Sequence, residues 1–139
     1  MASRLNPYIN FRGQARAAAE FYQAVLGGSL QMDTFAGFGM PVDNPDERDW
    51  IMHAQLDTPA GFTLMVSDTP SSMPLNAGSN VSISLSGDND VELTGYWNGL
   101  AEGATVLAPL EMAPWGDKFG MLTDRFGITW LVNIAVPKN

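Results

Sequence analysis

The 139-residue chain has no cysteine, a single histidine and only seven lysines and arginines. Without cysteine there is no disulfide framework, no thiol nucleophile and no thiolate metal site. The seven bases are scattered singly among fifteen acids, for a net charge of −8. Phosphate backbones are bound by clustered Lys and Arg, so no nucleic-acid partner is expected. No stretch approaches the roughly 18 consecutive apolar residues of a membrane helix, so no membrane partner is expected either. The opening MASRLNPYINF has no apolar run after a basic end, so no secretory signal is expected. A cytoplasmic location is the resulting expectation. The chain also lacks a P-loop and a G-x-S-x-G nucleophile elbow.

What the chain does have is punctuation. Nine prolines and fourteen glycines cut it into short segments, and its length suits one domain that buries roughly 68–70% of its unfolded surface. Asn6 to Phe11 reads as a strand. Gln14 to Leu26 has helical spacing, with Ala18, Phe21, Tyr22 and Val25 on one face and Gly27-Gly28 ending it. Strands follow near Ser29–Phe35, Trp50–Leu56 and Phe62–Ser67. The order then repeats: a strand at Val81–Ser86, a helix over Asp90–Ala101 opened by an Asn89/Glu92 capping box, and strands near Thr105–Leu110, Lys118–Thr123 and Thr129–Ala135. The second helix should bury Leu93, Trp97, Leu100 and Ala101.

The two halves also share residues. Gly61-Phe62-Thr63-Leu64-Met65-Val66 matches Gly127-Ile128-Thr129-Trp130-Leu131-Val132, and Phe21-Tyr22 matches Tyr96-Trp97. The helix match is offset by 75 residues and the strand match by 66, so the first half carries nine extra residues, placed most simply in the loop Ala36–Asp49. Neither half could cover its sheet alone, so we expect an α+β fold of two βαβββ modules, about residues 5–68 and 79–136, joined by a linker over 69–78 and forming one domain.

Four stretches carry a family resemblance: PYINFRG at 7–13, AEFYQAVLGG at 19–28, HAQL at 53–56 with Met65-Val66-Ser67-Asp68, and WGDKFGMLTDRFGITWLVNI at 115–134. Together they resemble the PhnB-like proteins of the vicinal-oxygen-chelate (glyoxalase/bleomycin-resistance) superfamily, often labelled 3-demethylubiquinone-9 3-methyltransferase-like. The resemblance implies open sheets curled around a central cleft, with the helices outside, and a homodimer. The superfamily's metal enzymes take ligands from the first strand of each module and from the last strand. Without gaps those positions fall on Pro7, give or take one residue, between Asn80 and Ile83, and on Leu131. None supplies an imidazole or carboxylate donor, so no metal and no other cofactor is expected.

Strand alternation extends this to other side chains. If position 131 faces the cleft, Thr129 and Asn133 do too, while Trp130, Val132 and Ile134 pack toward the helices. By the repeat, Thr63, Met65 and Ser67 face inward from the first half. Such a mixture of hydroxyl, amide, thioether and aliphatic groups suits a small, partly apolar ligand; equally, these could be ordinary strand residues. His53, with Gln55 on its face, is the sole candidate for acid–base work near neutral pH, although a lone strand histidine is commonly structural. Trp115, between Pro114 and Gly116-Asp117, could close over the cleft or plug a core edge or dimer seam. The acidic run 43-DNPDERD-49 reads as a solvated or lid loop, and Asp124 as the residue ordering the Asp-Arg-Phe-Gly turn.

Two functions remain open from sequence. One is a metal-independent small-molecule binding protein; the other is an enzyme of lyase, dioxygenase or transferase type using His53 or a metal elsewhere. A catalytically empty structural dimer is a third. Methyl transfer meets an objection: Gly37-Phe38-Gly39 is followed by Pro41, not by the helix that a nucleotide-binding glycine turn requires.

Overall fold

The computed structural model describes residues 5–75, 78 and 80–137. The chain divides into two compact units, Met1–Ala77 and Gly78–Asn139. Part of the expected linker, residues 76 and 77, lies outside the described residues, as does 79, where the second module was expected to begin.

The first unit runs β1 (Tyr8–Phe11), α1 (Ala15–Leu26), β2 (Ser29–Thr34), a short 3-10 turn (Pro45–Glu47), β3 (Ile51–Asp57) and β4 (Thr63–Asp68). The second repeats it with β5 (Ile83–Gly87), α2 (Asp90–Ala101), β6 (Thr105–Met112), β7 (Lys118–Thr123) and β8 (Thr129–Ile134). The sheet orders are β1-β4-β3-β2 and β5-β8-β7-β6. In each, the first strand lies parallel to the last and the other pairs are antiparallel. The sheets are open, with one face against a helix, as the βαβββ pattern predicted.

The alternating strands explain that asymmetry. Trp130, Val132 and Ile134 are buried, whereas Thr129, Leu131 and Asn133 between them are half-exposed. In the first unit Ala19 and Tyr22 of α1 meet Leu30, Ala54, Leu56, Leu64 and Val66. Burying a Leu or Val side chain stabilises by about 1.5–3 kcal/mol, so this layer is what holds the helix to the sheet. The buried stripe of α1 is Ala15, Ala18, Ala19, Tyr22 and Leu26. Phe21 and Val25, expected on that face, lie at its half-exposed margin, because three small alanines let the helix approach the sheet along their own line. In α2 the buried residues are Leu93, Trp97 and Leu100, with Ala101 at the edge.

Helix ends follow local chemistry. The Asn89 side chain accepts from the Glu92 amide at 3.1 Å and caps α2. Lys118 on β7 donates to Asp90 at 2.6 Å, and this bond, with one from Thr94, holds the Asp90 carboxyl below its ordinary range. Helix α1 has no side-chain cap from its own preceding residue, Gln14. Instead Asp68, at the end of β4, accepts from the amides of Gly13 (2.8 Å), Ala15 (3.0 Å) and Ile51 (3.0 Å) while only 4% exposed. Asp124 does comparable work in the second unit, accepting from the amides of Phe126 and Ile128 and from the Trp130 indole. This matches the turn role expected of it.

The extra residues of the first half lie where expected. The β2–β3 connection spans residues 35–50, against 113–117 for β6–β7. Its acidic run, however, is not wholly solvated. Glu47 is 4% exposed, and its carboxylate accepts from the Ser71 amide at 3.1 Å, because the 3-10 turn swings that side chain inward.

Two glycines permit close approaches. A β-carbon on Gly28 (φ +103°) would lie 2.1 Å from the Asp57 carbonyl oxygen. One on Gly120 would lie 2.7 Å from the Trp97 ring and 3.0 Å from the Leu110 Cα, so a bare backbone there lets the indole lie on the sheet. Gly120→Ala should therefore overpack this layer and destabilise by about 1–3 kcal/mol. Chemical denaturation of the two proteins checks this, and an unchanged midpoint would contradict the packing described.

Candidate functional site

Each sheet leaves its other face open, and the register fixes which side chains share it. In the first unit one row reads Gln31, Gln55, Met65, Tyr8 across the four strands. A second row reads Ser29, Asp57, Thr63. A third brings Asp33 beside His53 and, across β4, Ser67 beside Asn10. In the second unit Ser84, Leu131 and Met121 form the central row, with Ser86, Asn133 and Phe119 on one side and Thr129, Thr123 and Thr105 on the other.

The predicted residues thus fall into two groups. Thr63, Met65, His53 and Gln55 share the open face of the first unit, and Thr129, Leu131 and Asn133 share that of the second. Ser67, also expected to face this way, does so and donates to Asn10 at 2.9 Å. Trp115 is 56% exposed and so does not plug a core. Its indole N–H donates to Asn133 Oδ1 at 3.3 Å, and its ring meets Phe119 edge-on at 5.3 Å. The loop beneath is closed by the Ala113 amide on the Asp117 carbonyl, and Asp117 accepts from Asn133 as well. The tryptophan is therefore fixed at the Asn133 end of this face.

The register also corrects the sequence assignment in the second unit. In the first unit the residue beside Met65 is Tyr8, within one residue of Pro7 as expected. Asn80 to Ser82 precede β5, and Ile83 is paired with buried Trp130; the residue beside Leu131 is Ser84. The cause is a single residue. Three residues, 12–14, connect β1 to α1, but only two, 88 and 89, connect β5 to α2. The offset of 75 that relates the helices is therefore 76 for the first strands, and in a strand one position reverses the face.

Two sets of side-chain partners escaped sequence reasoning. The Tyr8 hydroxyl and His53 Nδ1 lie 2.9 Å apart, with ring centroids at 5.5 Å, across the intervening strand β4. Asp57 Oδ1 accepts from Thr63 Oγ1 at 2.9 Å, and Gln55 Nε2 reaches both of its oxygens at 3.3 and 3.1 Å. Alternation alone could have put Tyr8 and Asp57 on this face, but not their partners.

Charge on these faces is one-sided. The eight strands contain one basic residue, Lys118, and it is turned to Asp90 of α2. Asp90 and Tyr96, whose hydroxyl is pushed up by burial and by its bond to Glu92, both lie on α2, away from the open face. Among the described residues no three His, Asp or Glu side chains gather closely enough to hold a metal ion.

Comparison with known proteins places this architecture. A structure titled protein PA1353 from Pseudomonas aeruginosa is 39% identical, covers 96% of this chain and 98% of its own, and superposes with a TM-score of 0.80. A putative 3-demethylubiquinone-9 3-methyltransferase, PhnB protein, from Bacillus cereus has a TM-score of 0.75 at 20% identity, covering 96% of this chain and all of its own. A glyoxylase/bleomycin resistance protein/dioxygenase domain from a Frankia species has a TM-score of 0.67 at 13% identity, covering 100% and 96%. The fold is thus of the glyoxalase/bleomycin-resistance type. Within that class the chain belongs to the PhnB-like family described as 3-demethylubiquinone-9 3-methyltransferase, whose model matches residues 3–133.

The exposure pattern on β8 makes a direct test available. Leu131→Glu places a carboxylate on the half-exposed face and should lower stability by under about 1 kcal/mol, whereas Val132→Glu, one residue on, buries an unpaired charge and should cost several times more. Thermal melts of both variants check this, and equal losses would show that Leu131 is core.

Proposed function

We propose that this protein binds a small organic molecule against its open sheet faces, without the metal centre of its enzymatic relatives. One observation carries this. The strand positions that neighbour one another at the middle of each open face are Tyr8 with Met65 and Ser84 with Leu131. A phenol, a thioether, a hydroxyl and an aliphatic chain can orient a partly apolar ligand, but divalent metals are held by imidazole and carboxylate donors. Thr63, Gln55, Thr129, Asn133 and Trp115 add hydrogen-bonding groups and an aromatic surface to the same faces.

Methyl transfer, the activity in the family's description, finds little support. Gly37 and Gly39 lie in the β2–β3 connection, ahead of a three-residue 3-10 turn. The start of α1, where a nucleotide's phosphates would bind in a Rossmann sheet, already has amides of Gly13 and Ala15 bonded to Asp68.

The Tyr8–His53 hydrogen bond favours a second reading, a histidine-assisted enzyme on an oxygenated small molecule. A hydrogen-bonded tyrosine fixes which ring nitrogen of His53 is left for a substrate. Elemental analysis tests the metal-dependent form of that enzyme. Protein purified without chelator should carry no stoichiometric divalent ion, and its melting temperature should not fall when EDTA is added. One bound ion per chain at His53, found by mutating His53→Ala and losing it, would put the enzyme first.

We also propose a homodimer. Each open sheet leaves two edge strands, β1 and β2 or β5 and β6, with unpaired backbone groups that a second copy can cover. Light scattering at micromolar concentration should give twice the 15.0 kDa chain mass; a monomer mass would refute it. Among the described residues no helix is long and apolar enough to cross a membrane, and a cytoplasmic location accords with the cysteine-free composition.

A further inference from the structure

We propose that the Asp57 end of the first unit's open face is an ammonium subsite, which takes the protonated amino group of the small molecule. This rests on the small-molecule reading above and specifies the chemistry of one end of the ligand.

An open hollow of about 690 Å³ lies there, lined by Gln55, Asp57, Thr63 and Phe62 among others. Both side chains that hold the Asp57 carboxylate, Thr63 and Gln55, are neutral donors. They fix its direction, and neither brings a positive charge to it; among the described residues it has no ion-pair partner. A carboxylate has about four lone-pair sites, and three hydrogen bonds leave one for a further donor. The carboxylate is exposed, so that donor can come from solution. Phe62 is 37% exposed beside it, and an aromatic wall next to a carboxylate suits a cation better than a neutral group.

Two independent features argue that the charge is there for a ligand. First, strands β1 to β4 contain no lysine or arginine, and the nearest acid on the same face is Asp33. An anionic ligand would meet repulsion that no side chain of these strands offsets. Second, the repeat shows that the fold does not need this carboxylate. The corresponding row in the second unit is Thr105, Thr123 and Thr129, where the Thr123 and Thr129 hydroxyls bond each other at 3.2 Å. Gln55 corresponds there to Met121. The same sheet geometry is thus built once with hydroxyls alone and once around a charged group facing a hollow.

The test is an amide-resolved NMR titration of the full chain at neutral pH with three probes of one shape: benzylamine, benzyl alcohol and benzoate. Benzylamine should shift the amides of Asp57, Gly61, Phe62 and Thr63 saturably, benzyl alcohol should bind there more weakly, and benzoate should not bind there. Asp57→Asn, which keeps the acceptor but loses the charge, should weaken benzylamine by roughly tenfold or more. Because Asp57 is exposed the variant should fold, and its own spectrum shows whether it does; Thr63→Val, which frees the carboxylate's direction, should weaken benzylamine by a smaller factor. Benzyl alcohol binding as tightly as benzylamine, full retention of benzylamine by Asp57→Asn, or benzoate binding at these amides would overturn the proposal. Neutral-probe shifts confined to Tyr8 and Met65, with none from benzylamine at Asp57, would remove the ammonium subsite and leave the small-molecule reading standing. No shift on either open face from any probe would remove both.

Discussion

The first unit depends on one buried carboxylate. Asp68 ends the last strand, yet its three amide partners come from the β1–α1 connection, the first turn of α1 and the start of β3. Hydrogen bonds to a charged group contribute more than neutral ones, about 1.5–3 kcal/mol each. The larger effect is the cost of leaving those amides and the carboxylate unmatched in a site that is 4% exposed. With Asp68 in place, the direction in which the chain enters α1 and the height at which β3 starts are set together. Those two choices determine which strand residues meet the helix and which are left facing out.

Both units use the same frame, and their differences lie on the open face. In corresponding places the first unit has Tyr8, His53, Gln55 and Asp57 where the second has Ser84, Phe119, Met121 and Thr123. The helix-facing layer has not diverged in kind: Tyr22 and Trp97 are both buried aromatics at equivalent helix positions. Packing constrains one side of each sheet, while the side chains on the other side differ between the units.

Much of the fold was legible because it rests on short-range periodicity. Alternation at Trp130-Leu131-Val132 identifies the helix-facing side, the Asn89/Glu92 spacing marks the start of α2, and the unequal offsets of the two repeated segments locate the long connection. The site was legible only in part. Ser84 was missed because a single-residue difference between the strand–helix connections is invisible to a repeat aligned on helices. The Tyr8–His53 bond reaches across an intervening strand, so it depends on strand order, which composition and spacing do not encode. Glu47 looked like one acid among several in a charged loop, and only its place in the 3-10 turn distinguishes it. The Asp57 carboxylate was not singled out for a similar reason: its significance comes from the hollow above it.

The parallel pairing of first and last strands has a consequence for how the chain is made. Among the described residues, the sheet order β1-β4-β3-β2 gives β1 one neighbour, β4. Strand β1 therefore has no partner within its sheet until β4 has followed it from the ribosome, and β5 must wait for β8 in the same way. Until then each is an exposed edge able to pair with another chain. A nascent or truncated chain that stops short of β8 thus carries an orphan strand as well as losing a strand, and β8 acts as the clasp that closes its sheet.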